Sequence, residues 1–250
     1  AIERSGIRIQ PEIFEQYFHP IDGEYTFTQF NLKTTTTRPS NSWNGVNYAA
    51  LNKDNGCRAS FIPRNDLLVE MDVSAMHPSL LANLIEYKFP PGEIHQYFAE
   101  MYGVSYEESK QITFRQLYGG VYEQYKHIEF FAKTEQYVED LWKKFNENGY
   151  IKCPISNYIF RKDKLENINP QKLLNYLLQC YETSLNTLIL WDIFRILRGR
   201  KTKLVHYSYD AILLDYSEDE PEILEKIKNI FTQHNLNIKI KQGLNYQEIK

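Results

Sequence analysis

Apolar and polar residues alternate with two different periods along this chain, and the switches between them outline its elements. "DLLVEMDV" (66–73) is apolar at 69, 71 and 73 and polar at 70 and 72, which predicts a strand with one half-wet face. "HPSLLANLIEY" then turns to a helical period, with Pro78 in the first turn. Ser105 followed by Glu108 fits a capping box and predicts a helix to about Tyr118, stopped at Gly119-Gly120. "EFFAKTEQYVEDLWKKFNENG" carries Phe, Val, Leu and Trp at helical spacing and predicts a second helix ending near Gly149. "YIKCPISNYIFRK" (150–162) reads as a hairpin, and Asn169-Pro170 as the N-cap and first residue of a long helix to about Leu197, closed by Gly199.

"KLVHYSYDAILLDY" (203–216) places two β-rich arms around Tyr209-Asp210, a hairpin with Asp210 near its turn. A short helix, "EPEILEKIKNIFTQH", and an alternating strand, "LNIKIKQG", complete the pattern. Residues 27–66 are rich in Thr, Asn, Ser and Gly without a helical period and read as loops and short strands. Helices and strands are mixed and the clear strand pair is antiparallel, so the fold class is α+β rather than a doubly wound sheet.

Composition narrows the function. The 250 residues are 42% apolar and 24% charged, ordinary for a globular chain, and no run approaches a membrane span. "AIERSGIRIQ" lacks the basic and apolar regions of a signal peptide. Three scattered cysteines without a CxxC favour a reducing cytoplasm over a disulfide framework or zinc site. A net charge of −3 argues against nucleic-acid binding by bulk charge, though a local basic cleft is compatible with it, and 19 tyrosines give faces that can stack on bases.

Three constellations can carry chemistry. Asp72 and Asp210 each stand at the end of an otherwise apolar strand, where an acid is costly unless hydrogen-bonded or bound to a cation. Side by side, two such strands would hold a pair of Mg²⁺ ions about 4 Å apart for in-line phosphoryl displacement, although either Asp alone is more often a turn residue. Lys110, Phe114 and Tyr118 recur every four residues on one helix face, a cation for phosphate and rings for sugar and base; an amphipathic helix with a snorkelling lysine has the same pattern. Asn175 and Gln179, also four apart, can read minor-groove acceptors common to all base pairs, or simply face solvent.

Taken in order, these pieces resemble the polymerase domain of the family A (DNA polymerase I-like) DNA polymerases. "KQITFRQLYGG" is similar to the family's fingers-helix motif Lys-x3-Phe/Tyr-Gly-x2-Tyr-Gly, with Arg115 in place of the first Gly. "MDVSAMH" resembles motif A through Asp72 and Ser74, and "HYSYDAILL" resembles motif C through Asp210. "TTTTRPSN", "GCRASF", "EIHQYFAEMYGV", "GYIKCP", "NYLLQ" and "GLNYQEIK" resemble flanking segments, so the likeness runs from about residue 27 to the C-terminus. It implies an antiparallel palm sheet flanked by helices and a helical fingers subdomain. The divisions would be 1–26 as an N-terminal residual thumb or linker segment, 27–85 as palm with motif A, 86–148 as fingers and 149–250 as palm with motif C.

The resemblance also implies roles. Asp72, Asp210 and the Val73 carbonyl would hold two Mg²⁺ ions, with Mn²⁺ able to substitute, for transfer of dNTPs onto primer–template DNA. Lys110 would neutralise the triphosphate and protonate the leaving group, Phe114 would pack on the sugar, and Tyr118 would stand at the templating base. Arg58, Asn175 and Gln179 would touch the minor groove, and Arg38 the primer phosphates.

Departures from the family pattern shape the expectation. Ala211 replaces the motif C Glu, with Glu70 placed to help; Tyr106 replaces an Arg, with Arg115 a partial substitute. His77 replaces the motif A Glu and becomes the candidate sugar gate that rejects a 2′-hydroxyl. The same stretch also resembles the family B motif Asp-x-x-Ser-Leu-Tyr-Pro-Ser, but the Lys110-to-Tyr118 spacing fits family A. A thumb of roughly a hundred residues does not fit between "ERSGIRIQ" and "FNLKTTTT", and neither does an exonuclease domain. The expectation is therefore a minimal polymerase of viral or mobile-element type in the cytoplasm of a bacterial or phage-infected host. It would need a processivity partner or a further thumb or exonuclease segment, with "RILRGRKTK" (195–203) either gripping phosphates or capping a helix. The rivals are a catalytically impaired nucleic-acid-binding module of the same fold and a metal-dependent phosphodiesterase built on the two acids.

Overall fold

A computed structural model describes residues 2–10, 24–41, 46–47, 51 and 56–249. Most of the N-terminal segment expected at 1–26 therefore lies outside the described residues. The elements begin with α1 (Ile2–Ser5), β1 (Ile7–Ile9), β2 (Tyr25–Thr26), β3 (Phe30–Asn31), β4 (Ser40–Asn41), β5 (Phe61–Ile62) and β6 (Leu67–Val73). Then follow α2 (Met76–Leu84), α3 (Ile94–Tyr102), α4 (Tyr106–Gly119), α5 (Glu129–Asn148), β7 (Tyr150–Lys152) and β8 (Ile159–Arg161). The chain continues through α6 (Pro170–Leu197), β9 (Lys203–Ser208), β10 (Ala211–Tyr216), α7 (Glu222–Gln233) and β11 (Ile238–Gly243). This is the α+β class that the alternating periods predict.

The elements form two units. A sheet unit comprises Ala1–Thr34, Arg38–Val73 and Asn186–Lys250, and a helical unit comprises Thr35–Thr37 and Ser74–Leu185. Helix α6 contributes its first part to the helical unit and its remainder to the sheet unit.

The sheet unit is built on four antiparallel strands in the order β11-β6-β10-β9. Strand β6 is central, and its alternating sequence has the expected consequence: Val69, Met71 and Val73 are buried while Glu70 and Asp72 are half-buried. Every residue of β10 is buried. A smaller sheet, β2-β1-β5, lies in the same unit, whose apolar cluster includes Ile7, Ile9, Phe61, Leu68, Val205 and Leu213. A buried carboxylate ties the strands to their entry loop. Asp215 on β10 is 1% exposed and accepts from the Arg64 Nε at 2.9 Å and from the backbone N–H groups of Arg64 and Asn65 at 3.1 and 2.9 Å. A charge there is tolerated because its oxygens are satisfied. Amphipathic α7 buries Ile223, Ile227, Ile230 and Phe231.

The helical unit is held by aromatic packing. Phe89, Phe98, Phe130 and Phe131 meet with ring centroids between 5.0 and 5.5 Å apart. Its helix ends follow local chemistry. Ser105 and Glu108 make the capping box that starts α4, and Gly149, at φ 75°, closes α5 in the left-handed conformation that glycine adopts most readily. Helix α3 carries no favoured N-cap letter: Glu93 caps it instead, accepting from the N–H groups of His95 and Gln96 at 2.9 and 3.2 Å. Strands β7 and β8 pair as the predicted hairpin.

Candidate active site

In the sheet unit, the ladder between β6 and β10 brings the two acids together. Ala211 pairs with Asp72, and the Val73 N–H donates to the Asp210 carbonyl at 2.8 Å. One strand spacing and one residue step separate the two acids, roughly 6 Å between α-carbons. Strict pleating would send neighbouring positions to opposite faces. Asp210, however, stands exposed in the two-residue turn, directly after Tyr209 at φ 59°, where strand alternation no longer dictates its side chain.

That turn is braced from two sides. The buried Asn186 amide donates to the Tyr209 carbonyl at 2.7 Å and to the Tyr207 hydroxyl at 3.1 Å. The Arg38 guanidinium lies 3.7 Å from the centre of the Tyr209 ring. Arg38, expected from the resemblance on primer phosphates, is thus one residue away from Asp210 and stacked on its neighbour.

Around Asp72 the face of the sheet is ionic. Lys239 on β11 pairs directly with Asp72, and Lys241 with Glu70, so each acid has a lysine as cross-strand neighbour. Glu70 accepts from the Tyr246 hydroxyl at 3.5 Å, and the Arg58 guanidinium lies 4.7 Å from that ring's centre while donating to the Leu51 carbonyl at 3.1 Å. Burial, followed by the negative charge of Glu70, pushes the Tyr246 phenol up to about 12, so it remains a donor near neutral pH. His206 on β9 is fully enclosed, and burial pushes its imidazole down to about 3 with a smaller push from Arg58; it is a neutral core residue.

Asp72, Asp210 and the backbone carbonyl of Val73 are all oxygen donors, which suit a hard cation rather than a thiophilic one. Among the described residues there is no group of three or more His, Cys, Asp or Glu side chains that could hold a metal ion.

In the helical unit, α4 presents a column. Tyr106, Lys110, Phe114 and Tyr118 follow at intervals of four. The Lys110 ammonium lies 4.3 Å from the centre of the Tyr106 ring and 3.2 Å from the Glu107 carboxylate. The Phe114 and Tyr118 rings are parallel, 6.0 Å apart, and exposed at 41% and 37%. Both rings also pack within the unit, Phe114 6.0 Å from the His95 ring and Tyr118 5.8 Å from the His77 ring, centre to centre. Tyr106, where the resemblance would place an Arg, donates to the Glu93 carboxylate at 3.0 Å and braces α4 against the cap of α3. Arg115 is exposed and falls outside the column. Past Gly119-Gly120, a cavity of about 360 Å³ is lined by Gln116, Tyr122, Thr134, Val138, Trp142 and Gln171, among others.

His77 is buried in the same unit and sits in a relay. The Tyr118 hydroxyl is 2.6 Å from His77 Nδ1, and His77 Nε2 is 3.4 Å from the Glu182 carboxylate, itself 1% exposed. With the Nε2 proton directed at Glu182, Nδ1 is left as the acceptor for Tyr118. Glu182 escapes the sequence reading; its only signal is an acid on the apolar helix "NYLLQCYETSL", seven residues after Asn175. Asn175 and Gln179 bond each other at 2.9 Å, and Gln179 also accepts from the Thr36 hydroxyl at 3.0 Å. Neither amide is therefore simply solvated.

No family model matches the chain, and no curated protein matches it in sequence. Among solved structures, the chain is similar to the POL domain of Pol1 from M. smegmatis in complex with DNA primer-template and dNTP, with a TM-score of 0.77 and 16% identity. The match covers 95% of this chain and 50% of that one, so the chain spans about half the length of that neighbour. At this identity the likeness is one of fold. The chain has an antiparallel palm-type sheet flanked by helices and a helical, fingers-type part, as the ordered motifs imply. Among the described residues no helix is long and apolar enough to cross a membrane.

Proposed function

We propose that this chain is a template-directed DNA polymerase of the family A type, extending a primer 3′-hydroxyl with dNTPs. The carrying observation is the β6–β10 register, which brings Asp72 at the end of β6 beside Asp210 in the turn that precedes β10, with the Val73 N–H bonded to the Asp210 carbonyl at 2.8 Å. Asp72, Asp210 and the Val73 carbonyl are the residues that would hold Mg²⁺, or Mn²⁺ in its place. When bound, such ions lower the pKa of the attacking hydroxyl and offset charge on the transferred phosphoryl group.

The remaining chemistry belongs to side chains of the protein. Lys110 supplies a positive charge and a proton for the departing pyrophosphate, with Arg115 a second phosphate contact. Phe114 and Tyr118 offer flat faces to sugar and base. His77, held by Glu182, sets the space available beneath the sugar. Arg58, Asn175 and Gln179 contact the minor groove and Arg38 the primer backbone. The segments 27–85 and 149–250 serve as palm, and 86–148 as fingers. The fold neighbour was solved with primer-template and dNTP, which supports both ligands here.

A second reading rests on one position. Ala211 lies directly across from Asp72, where the family places its third carboxylate. A chain that keeps the fold and binds nucleic acid without turnover would tolerate that loss. Primer extension with Mg²⁺ and all four dNTPs separates the two. Stepwise extension is expected; binding of primer–template with no extension at high enzyme concentration sinks the polymerase reading and leaves the binding one.

A further inference from the structure

The face of the main sheet that carries Asp72 is laid out in rows by its ladders. Residues directly opposite each other on neighbouring antiparallel strands share a face, with β-carbons about 5 Å apart. One row runs Lys239, Asp72, Ala211 and Ser208 across β11, β6, β10 and β9. The next runs Lys241, Glu70, Leu213 and His206. Each acid of β6 thus has a lysine on its β11 side and an apolar residue on its β10 side. The resemblance places a third carboxylate at Ala211, so Asp72 lacks that acidic neighbour and has a cationic one across the other ladder. Arg58 adds positive charge to the same surroundings, its guanidinium 4.7 Å from the centre of the Tyr246 ring, whose hydroxyl donates to Glu70 at 3.5 Å.

We propose, resting on the metal role given to Asp72 above, that Lys239 is a positioning residue: it balances the Asp72 carboxylate in the free chain and so holds down its affinity for divalent cations. A positive charge beside a carboxylate opposes a divalent ion twice as strongly as a monovalent one, and the affinity of an oxygen-donor site follows the charge of its ligands. The carboxylates of Asp72 and Asp210 and the ammonium of Lys239 together leave a single net negative charge, too little to hold a pair of divalent ions. A nucleoside triphosphate supplies the negative charge that is missing. Divalent cations therefore bind together with the nucleotide rather than ahead of it.

A lysine on an edge strand has another use, since its charge discourages pairing with a second chain. Strand β11 is an edge of the sheet, and Lys239 is exposed on it. A guarding lysine would be indifferent to metal, which makes metal affinity the discriminating readout. An exposed position also tolerates substitution with little change in stability. Lys241 is the internal comparator, because it stands opposite Glu70, one row further from the turn that holds Asp210.

The test is a titration of the full chain with Mn²⁺ alone at fixed ionic strength, without DNA or dNTP, with free Mn²⁺ read by electron paramagnetic resonance. Lys239→Met should tighten Mn²⁺ binding about tenfold and Lys239→Glu further still, whereas Lys241→Met should change it by less than about threefold. Asp72→Asn placed in the Lys239→Met chain should remove the gain. Equal affinities for wild type, Lys239→Met and Lys239→Glu, with or without measurable binding, would overturn the role of Lys239 and leave the polymerase reading standing. A gain that survives Asp72→Asn would overturn the metal assignment of Asp72 as well. Each of these readings is independent of primer extension.

Discussion

The acids of the sheet unit and the column of the helical unit are positioned by different physics. Asp72 and Asp210 owe their proximity to a ladder in which a one-residue slip would send every side chain of β6 to the other face. The α4 column owes its alignment to a helical repeat that needs no partner strand. The sheet site is therefore only as good as its register, whereas the column keeps its geometry as long as α4 persists. This difference predicts where substitutions act. Changes in the sheet unit that disturb the ladder should abolish activity through folding, and changes on α4 should alter nucleotide handling in a chain that stays folded.

The largest effect is expected at the acids: Asp72→Asn should slow extension about a thousandfold, on the order of 4 kcal/mol, with an unchanged melting curve. Next is the clamp beneath the ladder. Asp215→Ala leaves Arg64 and two backbone N–H groups without their acceptor and should cost about 3 kcal/mol in urea unfolding. If it instead left stability unchanged, the sheet unit would not depend on that buried pair. On α4, Lys110→Ala should lower extension about thirtyfold, roughly 2 kcal/mol, at unchanged stability, read as rate against dNTP concentration.

His206 gives the sheet unit an acid liability. Its folded pKa, about 3, lies below the ordinary 6.5, so below 6.5 the unfolded chain takes a proton that the folded chain refuses. Stability should fall as pH drops from 6.5 toward 3, by about 1.4 kcal/mol per unit from this residue. His206→Phe should flatten that limb in a pH series of melts, and an identical slope in the variant would remove His206 as the cause. The smallest effect belongs to the relay: Glu182→Gln should change discrimination between dNTP and rNTP by about fivefold, near 1 kcal/mol, through a less firmly held His77.

Local signals were the legible ones. Ser105-Glu108, Asn169-Pro170 and the Tyr209-Asp210 turn each carry their chemistry within a few residues, and the elements they announce stand where expected. Helix α3 hides behind a glutamate cap, a residue seldom used there. The β2-β1-β5 sheet is built from strands of two and three residues whose pairing partners lie far away in sequence. In the candidate site, the ordered motifs point to Asp72, Asp210 and Lys110. Glu182 and Lys239 could not be found that way. Each matters through a contact or register set in three dimensions, Glu182 across 105 residues to His77 and Lys239 across the β11–β6 ladder.

The central claim is that the β6–β10 acids perform nucleotidyl transfer and do not merely support the sheet. Single-turnover extension by Asp210→Asn, with primer–template affinity measured on the same preparation, tests it most directly. The expected rate is reduced about a thousandfold at saturating dNTP, with DNA affinity within about threefold of wild type. Extension at the wild-type rate by Asp210→Asn would contradict it.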